Sequence, residues 1–193
     1  AQAIMGLLPA GLRCEGDIIV HGQLQSATSQ VKLMQMWGRQ ITLLPQEPWH
    51  SLDPLMRGRQ QVREVYQCVH TQTPALADHS TSRDLTGVGL GDDGHKLPGQ
   101  LSGGMAQRLA FCAATAGGAG IILADEPTKG LDARRRDEIA NLLLKKSADG
   151  ALLTITHDVD VARMLGGNMI VMKQGQVIEQ GSAQALLEQP QAE

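Results

Sequence analysis

Two short apolar runs, at residues 121–124 and 151–156, constrain the fold of this 193-residue chain more than any other feature. The segment between them, at about 133–147, has the residue pattern of a helix. Strands that are apolar throughout are typical of a parallel sheet covered on both faces, and a helix is the usual crossover between two such strands. The sequence therefore predicts an α/β fold built around a βαβ unit.

The chain has the length of one domain that carries a sizeable insertion. Residues 47–116 have a mostly helical pattern broken by Gly- and Pro-containing segments, whereas the segments on either side are richer in strands. We expect a single domain in which residues 1–46 and 117–193 form the α/β core and 47–116 form an inserted helical subdomain. The other predicted elements are a helix at 3–8, strands at 16–23 and 40–48, a hairpin at 168–181 that turns at Gly175, and a short last helix capped by Ser182.

Composition excludes several classes of protein. The net charge of -3 and the pI near 6.1 give no global basic field for nucleic acid or anionic lipid. Three cysteines without C-x-x-C spacing indicate a reducing compartment rather than a disulfide framework. No apolar run approaches the length of a membrane span. The basic run Arg134, Arg135 and Arg136 precedes two acidic residues and is expected to be a solvated helix face.

Titratable residues follow both apolar runs, where the strands of an open parallel sheet present their carboxyl ends to ligands. Asp125 ends the first run and can hold Mg²⁺, while the adjacent Glu126 can orient an attacking water. His157 follows the second run and can donate to a phosphate or hold a water. By themselves these residues leave two alternatives open, a simple strand-end turn after Asp125 and a helix N-cap at Asp158 beside an incidental histidine.

The stretch Leu101-Ser102-Gly103-Gly104 indicates a helix start that binds phosphate. Ser102 can cap the helix that follows, and the two glycines leave backbone N–H groups open at the positive end of the helix dipole. An ordinary capping turn is the alternative. Two consecutive glycines favour the phosphate site, because capping needs only Ser102, whereas close approach to a ligand uses bare backbone.

These motifs, in this order, resemble the nucleotide-binding subunit of ABC transporters. Residues 101–107 are similar to the family's signature motif, 121–126 to the Walker B strand with the catalytic glutamate, and 130–132 to the D-loop. His157 resembles the switch histidine, and Gln46 resembles the Q-loop glutamine. The resemblance extends over nearly the whole chain, from about residue 1 to about 189.

The resemblance implies a P-loop NTPase-like parallel sheet, with ATP and Mg²⁺ as cofactors and a second ABC ATPase subunit, identical or different, as partner. It also implies permease subunits, indirectly a substrate-binding protein, no nucleic acid, and a peripheral place on the cytoplasmic face of a bacterial inner membrane. The resemblance implies that Glu126, His157 and Gln46 are catalytic, and that Asp125 and Gln46 bind the metal. The implied nucleotide contacts are Ser102, Gly103, Gly104, Gln107 and Asp132. Asp132 would also couple the two sites of a dimer.

A narrower similarity links two stretches to the importer branch for oligopeptides, nickel and metal-chelating opines. These are residues 4–11, IMGLLPAG, and residues 43–55, LLPQEPWHSLDPL, in which Asp53 stands where that branch usually has Asn. The similarity implies an ATP-hydrolysing subunit that energises such an importer.

The family's phosphate loop, G-x-x-x-x-G-K-[ST], does not occur in this sequence, which contains no Gly-Lys dipeptide. In complete members that loop stands just before the segment similar to IMGLLP. We therefore expect an N-terminally truncated domain whose early strands and phosphate loop are missing, and which is inactive as given. Two alternatives stay open: a catalytically silent ABC fragment, and a soluble ABC ATPase outside transport.

Overall fold

The computed structural model describes residues 1–25, 34–47 and 50–189. Pro48 and Trp49, in the stretch similar to the importer branch, lie outside the described residues. The described elements, in chain order, are α1 (Gln2–Met5), β1 (Ile18–Val20), β2 (Gln23–Gln25), β3 (Ile41–Leu44), α2 (Gly58–Val69), α3 (Pro74–Gly87), a 3₁₀ turn (Pro98–Gln100), α4 (Gly103–Thr115), β4 (Ile121–Asp125), α5 (Ala133–Lys146), β5 (Ala151–Ile155), α6 (Val159–Leu165), β6 (Asn168–Lys173), β7 (Gln176–Ser182) and α7 (Ala183–Glu188).

A parallel sheet in the order β3-β4-β5 lies at the centre of the fold. Leu44 pairs with Ala124, and Asp125 pairs with Ile155, so the three strands end at the same edge. Helix α5 connects β4 to β5, which confirms the predicted βαβ unit. The residues that come directly after these three strands therefore lie at the same edge of the sheet.

The prediction that both strands of this unit are covered on both faces is wrong for β5. In β4 three consecutive residues, Ile122, Leu123 and Ala124, are buried. In β5 burial alternates, and Leu153 and Ile155 are 46% and 42% exposed. The physical reason is position. Strand β4 lies between two strands, and its side chains pack in a hydrophobic cluster on each face, whereas one face of β5 is exposed in the described part of the chain.

The two antiparallel hairpins use tight turns with positive φ at both central residues. In the β6–β7 turn φ is 52° at Gln174 and 78° at Gly175, which confirms the predicted position of that turn. The same geometry occurs at His21 (50°) and Gly22 (74°). It divides the single strand predicted at 16–23 into a short β1, a turn and β2.

One hydrophobic cluster joins the helical segment to the sheet. Val62 of α2, Leu85 of α3 and Phe111 of α4 pack in the same cluster as Leu44 and Ile122 of the sheet. The side chain of Thr42 in β3 also donates to the carbonyl of Ala114 in α4 (2.8 Å). This shared core holds α4 against the sheet, while the boundary of an inserted subdomain at 47–116 stays a prediction. In the ranges that the structure describes, no helix is long and apolar enough to cross a membrane.

The start of β5 passes so close to the loop before β4 that glycine is needed at position 150. An added Cβ on Gly150 would lie 2.1 Å from the carbonyl oxygen of Gly120. We expect Gly150→Ala to lower the free energy of unfolding by about 1–3 kcal/mol through overpacking. Gly120→Ala is the matched control, because a Cβ there meets nothing within 4 Å. Urea denaturation measures both, and equal stabilities would contradict the close approach.

Burial makes Cys112 of α4 unreactive. It raises the pKa of this thiol to about 12, so its contribution to stability is intact below about pH 9 and is lost as the pH rises towards 12. We expect a thiol reagent at pH 8 to modify the exposed Cys68 and to leave Cys112 untouched until urea unfolds the chain. Mass spectrometry of the labelled peptides measures this, and labelling of Cys112 as fast as Cys68 would show that α4 is not packed as described.

Candidate functional site

The edge where β3, β4 and β5 end carries four of the predicted site residues: Gln46, Asp125, Glu126 and His157. Leu44 of β3 pairs with Ala124 of β4. Gln46 lies two residues beyond Leu44, and Glu126 lies two residues beyond Ala124. His157 lies two residues beyond Ile155 of β5. Nδ1 of His157 is 2.8 Å from Oε1 of Glu126, which is a direct contact between neighbouring strand ends.

Glu126 takes a backbone conformation that is unusual for its residue type. Its φ is 47°, in the left-handed region, whereas its backbone N–H still donates to the carbonyl of Ile155 (2.8 Å). A residue other than glycine in this region carries strain of about 1–3 kcal/mol, and such strain concentrates at functional sites. The conformation ends β4 at Asp125 and takes Glu126 out of the strand's alternation, so that its carboxylate meets His157. Glu126 is only 17% exposed, whereas the His157 side chain is 74% exposed.

The helix cap expected as one alternative at residues 156–158 is confirmed. Oδ1 of Asp158 accepts from the backbone N–H groups of Asp160 (2.9 Å) and Val161 (3.2 Å), so Asp158 caps α6. His157 contacts Glu126, and its role toward a phosphate or a water stays a prediction. A carboxylate can only accept, so Nδ1 of His157 carries the hydrogen in this contact.

Asp125 and Gln46 are half-buried at the same edge. Among the described residues, no group of three or more His, Cys, Asp and Glu side chains forms a metal cage. Mg²⁺ is commonly held by one or two protein oxygens together with substrate phosphates and waters. The carboxylate of Asp125 and the amide oxygen of Gln46 fit that kind of site.

The turn that precedes α4 lies at the surface. The Ser102 hydroxyl accepts from the backbone N–H of Met105 (3.4 Å), as expected of a cap, and a Cβ on Gly103 would meet nothing within 4 Å. Gly104 is buried instead, and a Cβ there would lie 3.1 Å from Cδ of Arg135. Ser102 and Gly103 are thus open to a ligand, whereas Gly104 gives room to the arginine.

Gln107 and Asp132 are both engaged within the chain. Gln107 is 3% exposed, and its Nε2 donates to the carbonyl oxygen of Pro127, the residue after Glu126. Asp132 caps α5 by accepting from the backbone N–H of Arg135 (3.0 Å), while its side chain stays 58% exposed. Gln107 therefore ties α4 to the loop that carries Glu126, and Asp132 is accessible at the start of α5.

Arg136 departs from the solvated face expected for residues 134–136. Its side chain is 19% exposed and lies among Asp137, Asp158 and Asp160. The hydrogen bond to Asp137, and then that to Asp160, raise the pKa of its guanidinium. Asp158 and Asp160 come from α6 and its cap, more than twenty residues away in sequence, so no local pattern could have revealed this cluster.

The parallel sheet, with a carboxylate pair and a histidine at its carboxyl edge, fits the P-loop NTPase-like class of α/β folds that the sequence predicts. The family model described as "ABC transporter" matches residues 1–129. The chain belongs to the ABC transporter family.

Curated relatives are similar over nearly the whole chain. The metal-staphylopine import system ATP-binding protein CntD of Staphylococcus aureus is 33% identical over 98% of this chain and 72% of its own length. The oligopeptide transport ATP-binding protein OppD of Escherichia coli is 32% identical, with 98% and 58% covered. The peptidoglycan transport ATP-binding protein YejF of Agrobacterium fabrum is 32% identical, with 99% and 36% covered. The chain thus spans between about a third and three quarters of the length of these relatives.

Solved structures confirm the fold class. The ATP-binding cassette MJ0796, in a dimeric post-hydrolysis state bound to ADP and Pi, matches with a TM-score of 0.80 and 26% identity over 94% of this chain and 78% of its own. CbiO1 from Clostridium perfringens, part of the ABC transporter complex CbiONQ, matches with a TM-score of 0.78 and 24% identity over 97% and 72%. The second similarity supports the fold alone.

The buried contact between Gln107 and Pro127 predicts a stability effect. We expect Gln107→Leu to lower the free energy of unfolding by about 1–3 kcal/mol, because it leaves the buried carbonyl of Pro127 without its donor. Gln184→Leu is the matched control, since Gln184 is exposed and bonds to Glu188 within its own helix. Urea denaturation compares the two, and a Gln107 variant as stable as the control would rule out this tie.

Proposed function

We propose that this chain belongs to an ATP-binding and ATP-hydrolysing subunit that energises an ABC importer for peptides, nickel or metal–opine complexes. The observation that carries the proposal is the Glu126–His157 contact of 2.8 Å beside Asp125 at the carboxyl edge of the sheet. The relatives support the transported class, because their names refer to import of oligopeptides and metal-staphylopine.

Glu126 is the residue that orients and activates the attacking water. Its carboxylate is held by the N–H of His157, which leaves its second oxygen for the water. With Nδ1 donating to Glu126, the other ring nitrogen can donate to the γ-phosphate only when the imidazole carries both protons. The positions of both groups are set by neighbouring strand ends, so catalysis rests on positioning and charge stabilisation, as in phosphoryl transfer generally.

Asp125 and Gln46 are the residues that would hold Mg²⁺. The bound ion supplies neutralisation of the charge on the phosphate oxygens. Both residues lie at the same edge of the sheet as Glu126, so the metal, the water and the histidine would meet on one side of the nucleotide.

The exposed turn at Ser102 and Gly103 serves the nucleotide of a second ATPase subunit, identical or different. An open helix start with bare backbone favours phosphate, and MJ0796, which shares this fold, is dimeric with ADP and Pi bound. Gln107 supports this site indirectly by holding α4 to the loop after Glu126. The exposed Asp132 contacts the partner subunit.

Permease subunits tether this ATPase to the cytoplasmic face of a bacterial inner membrane, and a substrate-binding protein delivers the cargo to them. The helical segment at 47–116 docks on the permease. The net charge of -3 gives no basic field for nucleic acid.

A second candidate is that the 193 residues alone are catalytically silent and act only as a binding module. The sequence favours it, because no lysine follows a glycine and a phosphate loop of the usual form is therefore not available within these residues. The two candidates differ in what the isolated 193-residue chain does with ATP and Mg²⁺.

In the gene product as the cell makes it, Glu126→Gln should lower kcat for ATP hydrolysis at least about 100-fold while ATP affinity stays within about threefold, since a general base contributes roughly 10²–10⁴ in rate. Glu138→Gln is the matched control, because this carboxylate on α5 pairs with the exposed Arg134. Phosphate release and nucleotide binding are measured separately.

Unchanged hydrolysis by the Glu126 variant would remove Glu126 from catalysis. The same assay on the isolated 193-residue chain separates the two candidates. A rate equal to the buffer blank supports the silent module, and Mg²⁺-dependent turnover refutes it.

A further inference from the structure

We propose that Arg136 is a positioning residue that links the start of α5, at Asp132, to the His157–Glu126 pair. The inference rests on the proposed ATPase function. Arg136 is not itself one of the site residues. It lies one helical turn beyond Asp132, and it contacts Asp158 and Asp160 in the segment that follows His157.

The guanidinium of Arg136 joins two helices that both begin at the site. Its Nη1 donates to Oδ2 of Asp160 (2.8 Å) and lies 3.7 Å from Oδ2 of Asp158. Its Nε donates to Oδ1 of Asp137 on its own helix (2.9 Å). The planar guanidinium has several N–H donors in fixed directions and can contact three carboxylates at once, whereas the ammonium of lysine is a single point charge.

On one side this cluster leads to the catalytic pair. Asp158 directly follows His157, caps α6 with its other carboxylate oxygen, and donates its backbone N–H to Oγ1 of Thr156 (3.0 Å). One hydrogen bond therefore spans His157, and Arg136 lies 3.7 Å from the carboxylate that caps the helix directly after it. The ring of His157 in turn fixes the carboxylate of Glu126.

On the other side the cluster leads to the surface. The backbone N–H of Arg136 donates to the carbonyl of Asp132 (2.9 Å), in the first turn of α5. The Asp132 side chain is 58% exposed, and under the proposed function it contacts the second subunit. A displacement of this turn on contact with the partner is therefore carried through one guanidinium to the loop of His157.

The neighbouring arginines do not share this geometry. Arg134 is 88% exposed and pairs with Glu138 on its own helix, so it is a matched control. Asp160 also pairs with Arg163 (3.2 Å), so this carboxylate keeps a cation when Arg136 is removed. The fold should therefore survive the substitution, because partly exposed ion pairs contribute little to stability.

The test measures ATP hydrolysis by the gene product with Arg136→Ala, Arg136→Lys and Arg134→Ala. We expect Arg136→Ala to lower kcat roughly 10- to 100-fold with KM for ATP within twofold, since small misplacements of catalytic groups have effects of this size. Arg136→Lys should recover only part of the loss, and Arg134→Ala should match the wild type. An unchanged kcat in the Arg136→Ala variant, at an unchanged urea midpoint, overturns the proposal.

A double-mutant cycle with His157→Ala separates positioning from a general structural effect. If Arg136 acts through His157, its removal should change kcat less than twofold when His157 is already absent. Equal losses in both backgrounds overturn the proposal.

A second readout does not depend on turnover. The NMR resonances of the His157 ring should shift in the Arg136→Ala variant and stay in place in Arg134→Ala, and a ring that is unchanged in both overturns the link. A wild-type gene product without ATPase activity would refute the proposed function instead, while the ring resonances would still test the Arg136 contact.

Discussion

The parallel pairing of β4 with β3 on one side and β5 on the other is the constraint on which the site depends. Its register places Leu44 beside Ala124 and Asp125 beside Ile155, so residues that follow three separate strands meet at one edge. The three buried residues of β4 that precede Asp125 anchor this arrangement in the core. Apolar burial thus supports a cluster of charged and polar groups that could not hold itself together.

Two helices, α4 and α5, extend from this edge of the sheet to the surface. Helix α4 is tied to the loop after Glu126 through Gln107, and α5 is tied to the loop of His157 through Arg136. The capping residues of these helices, Ser102 and Asp132, are exposed. The same short elements that position Glu126 and His157 also present the groups that, under the proposed function, would meet a second subunit. This fits a family whose members include a dimeric ATP-binding cassette.

Much of the site was predictable because it lies within short motifs. The strand before Asp125, the caps at Ser102 and Asp158, and the turn at Gly175 all follow from local preferences of a few adjacent residues. The roles assigned to individual residues through the family resemblance stay predictions. The exposure of β5 was not predictable, because an apolar run does not show whether a layer covers it.

The sequence by itself determined the class of fold, the family and the titratable residues that follow β4 and β5, since these are properties of adjacent residues and their order. Only the tertiary structure decided that His157 contacts Glu126, that Gln107 is buried against Pro127, and that Arg136 lies among three carboxylates. Apart from the contact between Arg136 and the adjacent Asp137, these contacts join residues 20 to 31 positions apart. Strand register and helix packing bring such residues together, and neither can be read from a short stretch of sequence.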